Sequence, residues 1–289
     1  ASDVYKRQLV FYVLFPPLLF NSVYESKFNL ETSARFLCVA VSCMLGAVLL
    51  SWLVNQFYKE SSWTKWSVFH CGFRFNTYIG FAICQPLLGN EGFALLSLLI
   101  AIWVPISNTI AVMTLSFATN SEPSFNAFNR LKAVAKNPLI IATVTGLLFN
   151  LLSIPLPQVI NIFIGYLSSA ALALGLLCIG AGLTFEDVKK YRNLIGWCTL
   201  ERLVLVPCLA ISLAFFLLPN PIEACVLILS AALPTAQSCY VMTSKMKGNG
   251  AAVADLTSSQ TLLSMLTLPV WTLLTVSYTH LTLPTNSLV

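Results

Sequence analysis

The sequence predicts an all-α protein that crosses a lipid bilayer several times. Hydrophobic residues make up 57% of the 289 residues and charged residues only 9%, whereas soluble domains carry about 25% charged residues. Apolar segments long enough to cross a bilayer recur along the chain between short polar separators. The net charge of +5 is small and dispersed, so the composition does not indicate a nucleic-acid-binding surface.

The two ends of the chain read as the same DNA translated in opposite senses. Residues 1–8 read ASDVYKRQ and residues 276–282 read VSYTHLT. A common transposon-type sequencing adapter encodes the first peptide, and its reverse complement encodes the second. We therefore predict that 1–8 and 276–289 are adapter-like artefacts. Residues 9–275 are then expected to form one transmembrane domain, and the true chain is expected to extend upstream of Leu9.

Nine segments are apolar enough, and long enough or nearly so, to cross a bilayer core of about 30 Å. If the loop at 120–137 is cytoplasmic, ten lysines and arginines share its side of the membrane and only Lys27 and Arg35 lie opposite. This asymmetry predicts a multi-pass protein of the inner (plasma) membrane, with 120–137 as a cytoplasmic linker. The nine segments are 9–24, 36–58, 67–89, 93–119, 138–153, 158–183, 195–219, 221–244 and 256–275.

The linker divides the chain into two halves of similar design, 9–119 and 138–275. With one upstream helix restored, each half has five helices, and two halves with an odd number of helices must be inverted relative to each other. Asn76 and Pro234 each lie sixteen residues before a glycine that opens the turn to the last helix of its half. We therefore predict two inverted five-helix repeats.

Two of the segments contain polar residues and helix breakers at membrane depth. The third contains HCGFRFNTYIGFAICQPLLG and the eighth contains AALPTAQSCYVMTSKMKG. Irregular backbone is tolerated at membrane depth only where protein or a water-filled cavity covers it, and matched broken helices mark transport sites. Half-helix N-termini offer free N–H groups and a positive dipole end to an anion. The predicted substrate-binding residues are Asn76, Thr77, Tyr78, Gly80, Pro234, Thr235, Gln237 and Ser238.

Charged residues inside the segments have more than one interpretation. Arg74 is either an accessory charge at the substrate site or a side chain that reaches the inner interface. Glu201 and Arg202 either serve each other or face the interface. The nine cysteines are scattered, and the sequence contains no CxxC pair and no Cys/His cluster, so we predict no metal and no cofactor. His70 is interpreted as structural.

Two long motifs carry a family resemblance. Residues 73–83 read FRFNTYIGFAI, and residues 232–269 read ALPTAQSCYVMTSKMKGNGAAVADLTSSQTLLSMLTLP. Both resemble motifs of the auxin efflux carrier family, in the order in which the family has them. The resemblance implies ten helices in two inverted repeats, with the fourth and ninth helices broken and crossing at the substrate site. It also implies that the first of these helices is the one missing from this chain and that the transporter is a homodimer. Bacterial members move dicarboxylates such as malate or malonate, or have no known substrate. Other members often have Asp where this chain has Asn249.

The function predicted from these features is secondary transport of small organic anions, such as dicarboxylates, by alternating access. The expected partners are the anion and the lipid bilayer, without nucleic acid. One alternative is a sodium-coupled symporter of the bile-acid type, although the broken helices lack the carboxylate that sodium sites usually include. Another is a non-transporting membrane sensor, although no soluble signalling domain is present. An enzyme is not expected, because the sequence has no HExxH motif, no buried aspartate pair and no Ser/His arrangement.

Overall fold

The structure is a computed structural model that describes residues 10–25, 30–119, 138–180 and 183–282. The predictions for residues 1–8, for the linker 120–137 and for 283–289 lie outside these ranges. Within them the chain is helical, with one isolated β-bridge. This confirms the all-α class.

Eleven helices occur in the described ranges. Short turns with π-helical geometry precede α1 at Val10–Leu14 and join α7 to α8 at Glu201–Leu205, and a 3-10 turn, Phe69–Cys71, follows α3. The helices are α1 Phe15–Tyr24, α2 Leu30–Val54, α3 Ser62–Val68, α4 Thr77–Thr119, α5 Pro138–Leu151, α6 Gln158–Gly180, α7 Arg192–Leu200, α8 Val206–Leu217, α9 Pro221–Ala232, α10 Ser238–Lys245 and α11 Gly250–Thr282.

Each of the nine apolar segments overlaps at least one of these helices. By length and composition, three helical stretches of the described chain could each cross a membrane: 34–54, 77–118 and 192–217. Shorter apolar helices lie in α1, α5, α6 and α9. These features confirm a membrane protein built from apolar helices, whereas nine crossings and the inverted repeat remain predictions.

Helix α4 is a hairpin of two arms, 77–88 and 90–119. Gly89 breaks the helix with φ 63° and ψ −163°, a left-handed conformation that glycine adopts without steric cost. The rings of Phe81 and Phe93 lie 4.7 Å apart, although twelve residues of straight helix would separate them by about 18 Å. The chain therefore folds back at Gly89, as expected for two crossings joined by a tight turn.

The helices form two packing groups. α1 packs against α5 and α6. α2, α3 and α9 pack against α4, which also touches α1, α5 and α6, and α7, α8, α10 and α11 pack onto α2, α3, α9 and one another. A Cβ added at Gly146 on α5 would lie 2.6 Å from the backbone oxygen of Phe20 on α1. Such a small residue at a membrane helix contact lets two backbones approach closely. On α6, Val159 and Tyr166 are 79% and 75% exposed, as expected of side chains that face lipid.

Candidate functional site

Both predicted broken helices are broken in the structure, and the two breaks meet. The chain is not helical at 72–76, between the 3-10 turn and α4, or at 233–237, between α9 and α10. We call these the first and second extended segments, because the backbone is extended where they pair, although Gly72 and Gln237 at their ends have helical dihedral angles. Phe75 and Thr235 form an antiparallel bridge. The Asn76 N–H donates to the Pro234 carbonyl at 2.8 Å, and the Ala236 N–H donates to the Arg74 carbonyl at 3.1 Å. We call these two paired segments the crossing.

Arg202 satisfies the backbone carbonyls that the two breaks release. Its Nε donates to the Leu233 carbonyl at 2.7 Å, Nη2 to Ser230 at 2.9 Å and Nη1 to Gly72 at 3.3 Å. The side chain is completely buried, so these carbonyls have no access to water and need protein donors. The sequence pattern suggests a partner in Glu201 or a place at the interface. The structure instead shows that Arg202 connects both halves of the crossing.

Other side chains complete the backbone hydrogen bonding of the crossing. The indole N–H of Trp103, on the second arm of α4, donates to the Phe73 carbonyl at 3.0 Å. The Thr235 hydroxyl lies 2.6 Å from the Cys71 carbonyl and 2.5 Å from Gln260 Oε1, and Gln260 also accepts the Thr235 N–H at 3.2 Å. No sequence signal points to Trp103 or Gln260, because each acts on a segment distant in the chain.

Glu201 lies against Gly72, at the start of the first extended segment. The described residues show no hydrogen bond between Glu201 and Arg202. The Ser51 hydroxyl donates to Glu201 Oε1 at 2.5 Å, and the Glu201 residue is 2% exposed. A Cβ added to Gly72 would collide with Glu201 Oε1 and with the Ser51 hydroxyl. Glycine at position 72 therefore allows the backbone of this turn to lie directly against the carboxylate.

This contact predicts the effect of a single added methyl group. Gly72→Ala should destabilise the protein by about 1–3 kcal/mol, because overpacking forces the Glu201–Ser51 pair apart. Gly196→Ala on α7 is the control, since nothing lies within 4 Å of its added Cβ and alanine favours a helix by up to about 1 kcal/mol. Thermal unfolding of the detergent-solubilised protein should lower the midpoint only for Gly72→Ala. Equal midpoints for the two variants would contradict the close approach.

Asn76 caps the first arm of α4 and retains a donor. Its Oδ1 accepts the backbone N–H groups of Tyr78 at 3.1 Å and Ile79 at 3.3 Å, and its backbone carbonyl accepts that of Gly80 at 3.0 Å. The expectation of free N–H groups at this half-helix was therefore wrong for Tyr78, Ile79 and Gly80. Asn76, the residue before the helix, accepts a hydrogen bond from each of these N–H groups. Asn76 is 1% exposed, and its Nδ2 has no hydrogen-bond partner in the described structure.

Gln237 directly precedes α10, as Asn76 directly precedes α4. It precedes Ser238, the first residue of that helix, and makes no side-chain capping bond. Its Nε2 is buried without a described hydrogen-bond partner, like Asn76 Nδ2. Because Asn76 pairs with Pro234 and Arg74 with Ala236, the two amides lie toward opposite ends of the crossing.

Arg74 is at the Gln237 end of the crossing. Its Nη2 donates to the Ser238 hydroxyl at 3.1 Å, and its Nη1 lies 3.5 Å from the Met242 sulfur. The side chain is 8% exposed. These contacts place the accessory charge beside the predicted site residue Ser238.

The remaining predicted residues shape the crossing. Pro234 and Thr235 lie within it and are buried, and Thr77 and Tyr78 begin the first arm of α4 and are partly buried. A Cβ added at Gly80 would lie 2.8 Å from Leu233 Cδ1, so this glycine lets the arm pack closely on the second extended segment. All eight predicted substrate-binding residues therefore lie in the crossing or within one helical turn of it.

A cavity of about 610 Å³ lies beside the first arm of α4. Residues of this arm and of α11 line the cavity. One of them is Ile79, whose backbone N–H donates to Asn76 Oδ1. Its walls are mainly apolar, with hydroxyl groups from Thr261, Ser264 and Thr272. The cavity therefore gives the Asn76 end of the crossing an adjacent space of small-molecule size.

The structure also brings together a Cys/His cluster that is not visible in the sequence. Ligand atoms of His70, Cys71 and Cys239 all lie within 4.8 Å of one another, and all three residues are fully buried. The prediction that the chain has no such cluster rests only on spacing along the sequence, and Cys239 comes from the other broken helix. His70 therefore lies close to two thiol groups, and its interpretation as a purely structural residue does not account for this arrangement.

Comparison of the sequence with known proteins identifies a family of membrane transporters. A family model described as "Membrane transport protein" matches residues 7–272. An "Uncharacterized transporter" of Methanothermobacter thermautotrophicus is 23% identical over 91% of this chain and 86% of its own length. A "Putative malonate transporter" of Rhizobium meliloti is 25% identical over 81% of this chain and 74% of its own. Because the match spans most of the sequence, the chain belongs to the membrane transport protein family, the auxin efflux carrier family, and is a membrane transporter rather than an enzyme.

Proposed function

We propose that this protein is a secondary transporter that moves small organic anions through the crossing by alternating access. The observation that carries the proposal is the pair of buried amide donors, Asn76 Nδ2 and Gln237 Nε2, without described partners. A buried amide N–H that lacks a partner costs about 1–3 kcal/mol. An anionic ligand accepting from these donors recovers that cost, so both groups are suited to a carboxylate.

Neutral donors also suit a carrier because they allow release. A fixed unpaired cation would hold a carboxylate strongly in a low-dielectric site. Arg202 does not fill that role, since its guanidinium already donates to three backbone carbonyls. Arg74 lies at the Gln237 end, where its guanidinium donates to the hydroxyl of Ser238, a predicted site residue.

The two ends of the crossing fit the two steps of alternating access. With the loop 120–137 in the cytoplasm, the first broken helix runs outward and the second inward. Asn76 then faces the outer half of the membrane, and Gln237 with Arg74 faces the inner half. An anion held between these amides is accessible from one side at a time, as the mechanism requires.

The inverted repeat, nine crossings, cytoplasmic linker and inner-membrane location belong to the same proposal. Each half, 9–119 and 138–275, contains one broken helix followed by a turn and a long helix: the first arm of α4 turns at Gly89, and α10 turns at Lys247, where φ is 60°. This recurrence supports two repeats of one design. A homodimer remains an expectation that the mass of the solubilised protein would test.

The substrate class is tested by uptake into proteoliposomes. Labelled malonate comes first because a relative carries that name, followed by malate and an indole carboxylate, each with an imposed voltage. We expect saturable uptake of at least one carboxylate. Uptake should fall at least about tenfold in Asn76→Ala, which loses a hydrogen bond to a charged ligand worth about 1.5–3 kcal/mol.

The control for this experiment is Asn193→Ala, which removes the same side chain from an exposed position on α7. Its uptake should equal that of wild type. Uptake that requires sodium would support the alternative of a sodium-coupled symporter. If no carboxylate is taken up under voltage, a sodium gradient or a proton gradient, the organic-anion proposal is wrong.

A further inference from the structure

We propose that His70, Cys71 and Cys239 form a binding site for a thiophilic d10 metal ion, Zn²⁺ or Cu⁺, which ties the two broken helices together beside the crossing. Imidazole and thiolate are the ligands that such ions prefer, whereas hard cations need oxygen ligands. The site contains none of the eight predicted substrate-binding residues, although it adjoins Thr235 and Ser238, and it does not depend on which anion is carried.

The three ligand atoms already lie near the spacing that a metal requires. They fall within 4.8 Å of one another, and sulfur and nitrogen ligands bound at about 2.0–2.3 Å from one zinc are about 3.5–4 Å apart. Closing the difference takes a movement of about 1 Å or less. All three residues are fully buried, so a bound ion would be shielded from water.

Their positions make the site a link between two separate elements. His70 and Cys71 end the 3-10 turn that leads into the first extended segment, and Cys239 is the second residue of α10, which follows the other. The Thr235 hydroxyl lies 2.6 Å from the Cys71 carbonyl, so the cluster directly adjoins the crossing. A metal bound there would join both broken helices through their side chains.

The imidazole of His70 already faces one of the two thiols. Its Nδ1 is buried, and the ring interacts with the Cys239 side chain. Its Nε2 lies 3.5 Å from the Thr243 hydroxyl, so a proton on Nε2 would leave the Nδ1 lone pair free. A second hydrogen bond of this kind fixes the tautomer of metal-binding histidines. In that tautomer Nδ1 is the ring nitrogen that can bind a metal.

Charge balance favours a metal in this environment. Two thiolates and a neutral imidazole carry a charge of −2, which Zn²⁺ cancels completely. Cu⁺ would leave −1, and a cation is close by, because the Arg74 guanidinium donates to Ser238, the residue before Cys239. A site without net charge, or with a nearby cation, avoids most of the cost of burying charge in a membrane protein.

The test titrates Cd²⁺ into the purified, reduced and metal-free full chain in detergent. Cd²⁺ bound to thiolates absorbs in the near ultraviolet by charge transfer, and displacement by Zn²⁺ or by chelator-buffered Cu⁺ gives the affinity of each ion. We expect one equivalent per chain. Because losing a group that merely supports a ligand weakens binding about 10–100-fold, Cys71→Ser or Cys239→Ser should weaken it at least 100-fold.

Two variants separate a real site from scattered thiols. Cys43→Ser replaces another fully buried cysteine, on α2, and should bind Cd²⁺ like wild type. His70→Gln should keep the charge-transfer band but weaken binding. Equal binding by wild type, Cys71→Ser and Cys239→Ser, or no charge-transfer band in wild type, would overturn the proposal. An unchanged affinity in His70→Gln would overturn the three-ligand site.

A measurement on the unmodified protein covers the case in which the variants fail to fold. X-ray absorption of the zinc-loaded wild-type chain should show two sulfur ligands together with nitrogen or oxygen ligands. A spectrum with only nitrogen and oxygen ligands would rule out the site. The metal itself should raise the midpoint of thermal unfolding, because it binds the folded chain and links two of its elements.

Discussion

Replacing Arg202 by methionine is expected to destabilise the protein by about 3–5 kcal/mol, more than the methyl group added in Gly72→Ala. The variant removes three donors and leaves the carbonyls of Gly72, Ser230 and Leu233 unsatisfied in a buried place. Each unsatisfied buried carbonyl costs about 1–3 kcal/mol before relaxation. The extended segments would then separate or recruit water, and the crossing would lose its geometry.

Arg202→Lys should fail almost as badly, although it keeps the positive charge. The guanidinium holds its donors in a rigid planar fork, whereas the ammonium of lysine is a single compact charge. It cannot reach carbonyls on both extended segments at once. The matched control is Arg192→Lys, at an exposed position at the start of α7, which should change stability by less than about 0.5 kcal/mol.

Thermal unfolding and the yield of monodisperse protein in detergent measure these effects. Both Arg202 variants should have a lower midpoint and yield than wild type, and Arg192→Lys should match wild type. If Arg202→Lys is as stable as wild type, the charge alone is sufficient and the role of the three directed hydrogen bonds is contradicted.

The helices and both breaks could be predicted from the sequence because their causes are local. Apolar runs of membrane length, bounded by polar turns, identify the nine segments. Pro234 removes a backbone donor inside such a run, and the polar stretch around Asn76 marks the other break. Pro138 is likewise expected at a helix start, where its missing N–H costs nothing, and α5 begins there.

The partners that hold the breaks together could not be predicted, because they come from distant parts of the chain. In the sequence, Arg202 is a charged residue inside an apolar segment, next to Glu201. Only the folded chain shows that its guanidinium donates hydrogen bonds to the carbonyls of Gly72 and Leu233. Cys71 and Cys239 lie far apart in sequence, so their spacing resembles no metal motif. The capping role of Asn76 is hidden for a different reason: the same side chain can cap a helix through Oδ1 and bind a ligand through Nδ2.

The proposed double role of Asn76 predicts that Asn76→Asp abolishes transport even in protein that keeps its fold. Aspartate retains an oxygen for the N–H groups of Tyr78 and Ile79, and it is an equally good helix cap. It replaces the Nδ2 donor by a second oxygen and adds a negative charge. A carboxylate ligand is then repelled where it was bound, and we expect its uptake to fall by at least about 100-fold, which corresponds to about 2.7 kcal/mol. The buried carboxylate should itself cost several kcal/mol of stability, since Asn76 is 1% exposed, so uptake is compared per amount of folded protein, measured by thermal unfolding.

Asn249→Asp is the matched control, because it makes the same exchange at another helix cap. Asn249 Oδ1 accepts the Ala252 N–H at 3.2 Å, and its Nδ2 donates to the hydroxyls of Thr64 and Tyr191. Those hydroxyls can donate to an aspartate instead, so this variant should fold and carry the anion at the wild-type rate. Uptake by Asn76→Asp equal to that of Asn249→Asp would show that Nδ2 does not contact the anion. Loss of uptake in both variants would trace the effect to added negative charge rather than to Asn76, whereas loss in Asn76→Asp alone, in a folded protein, assigns the effect to the missing donor and the local charge at the crossing.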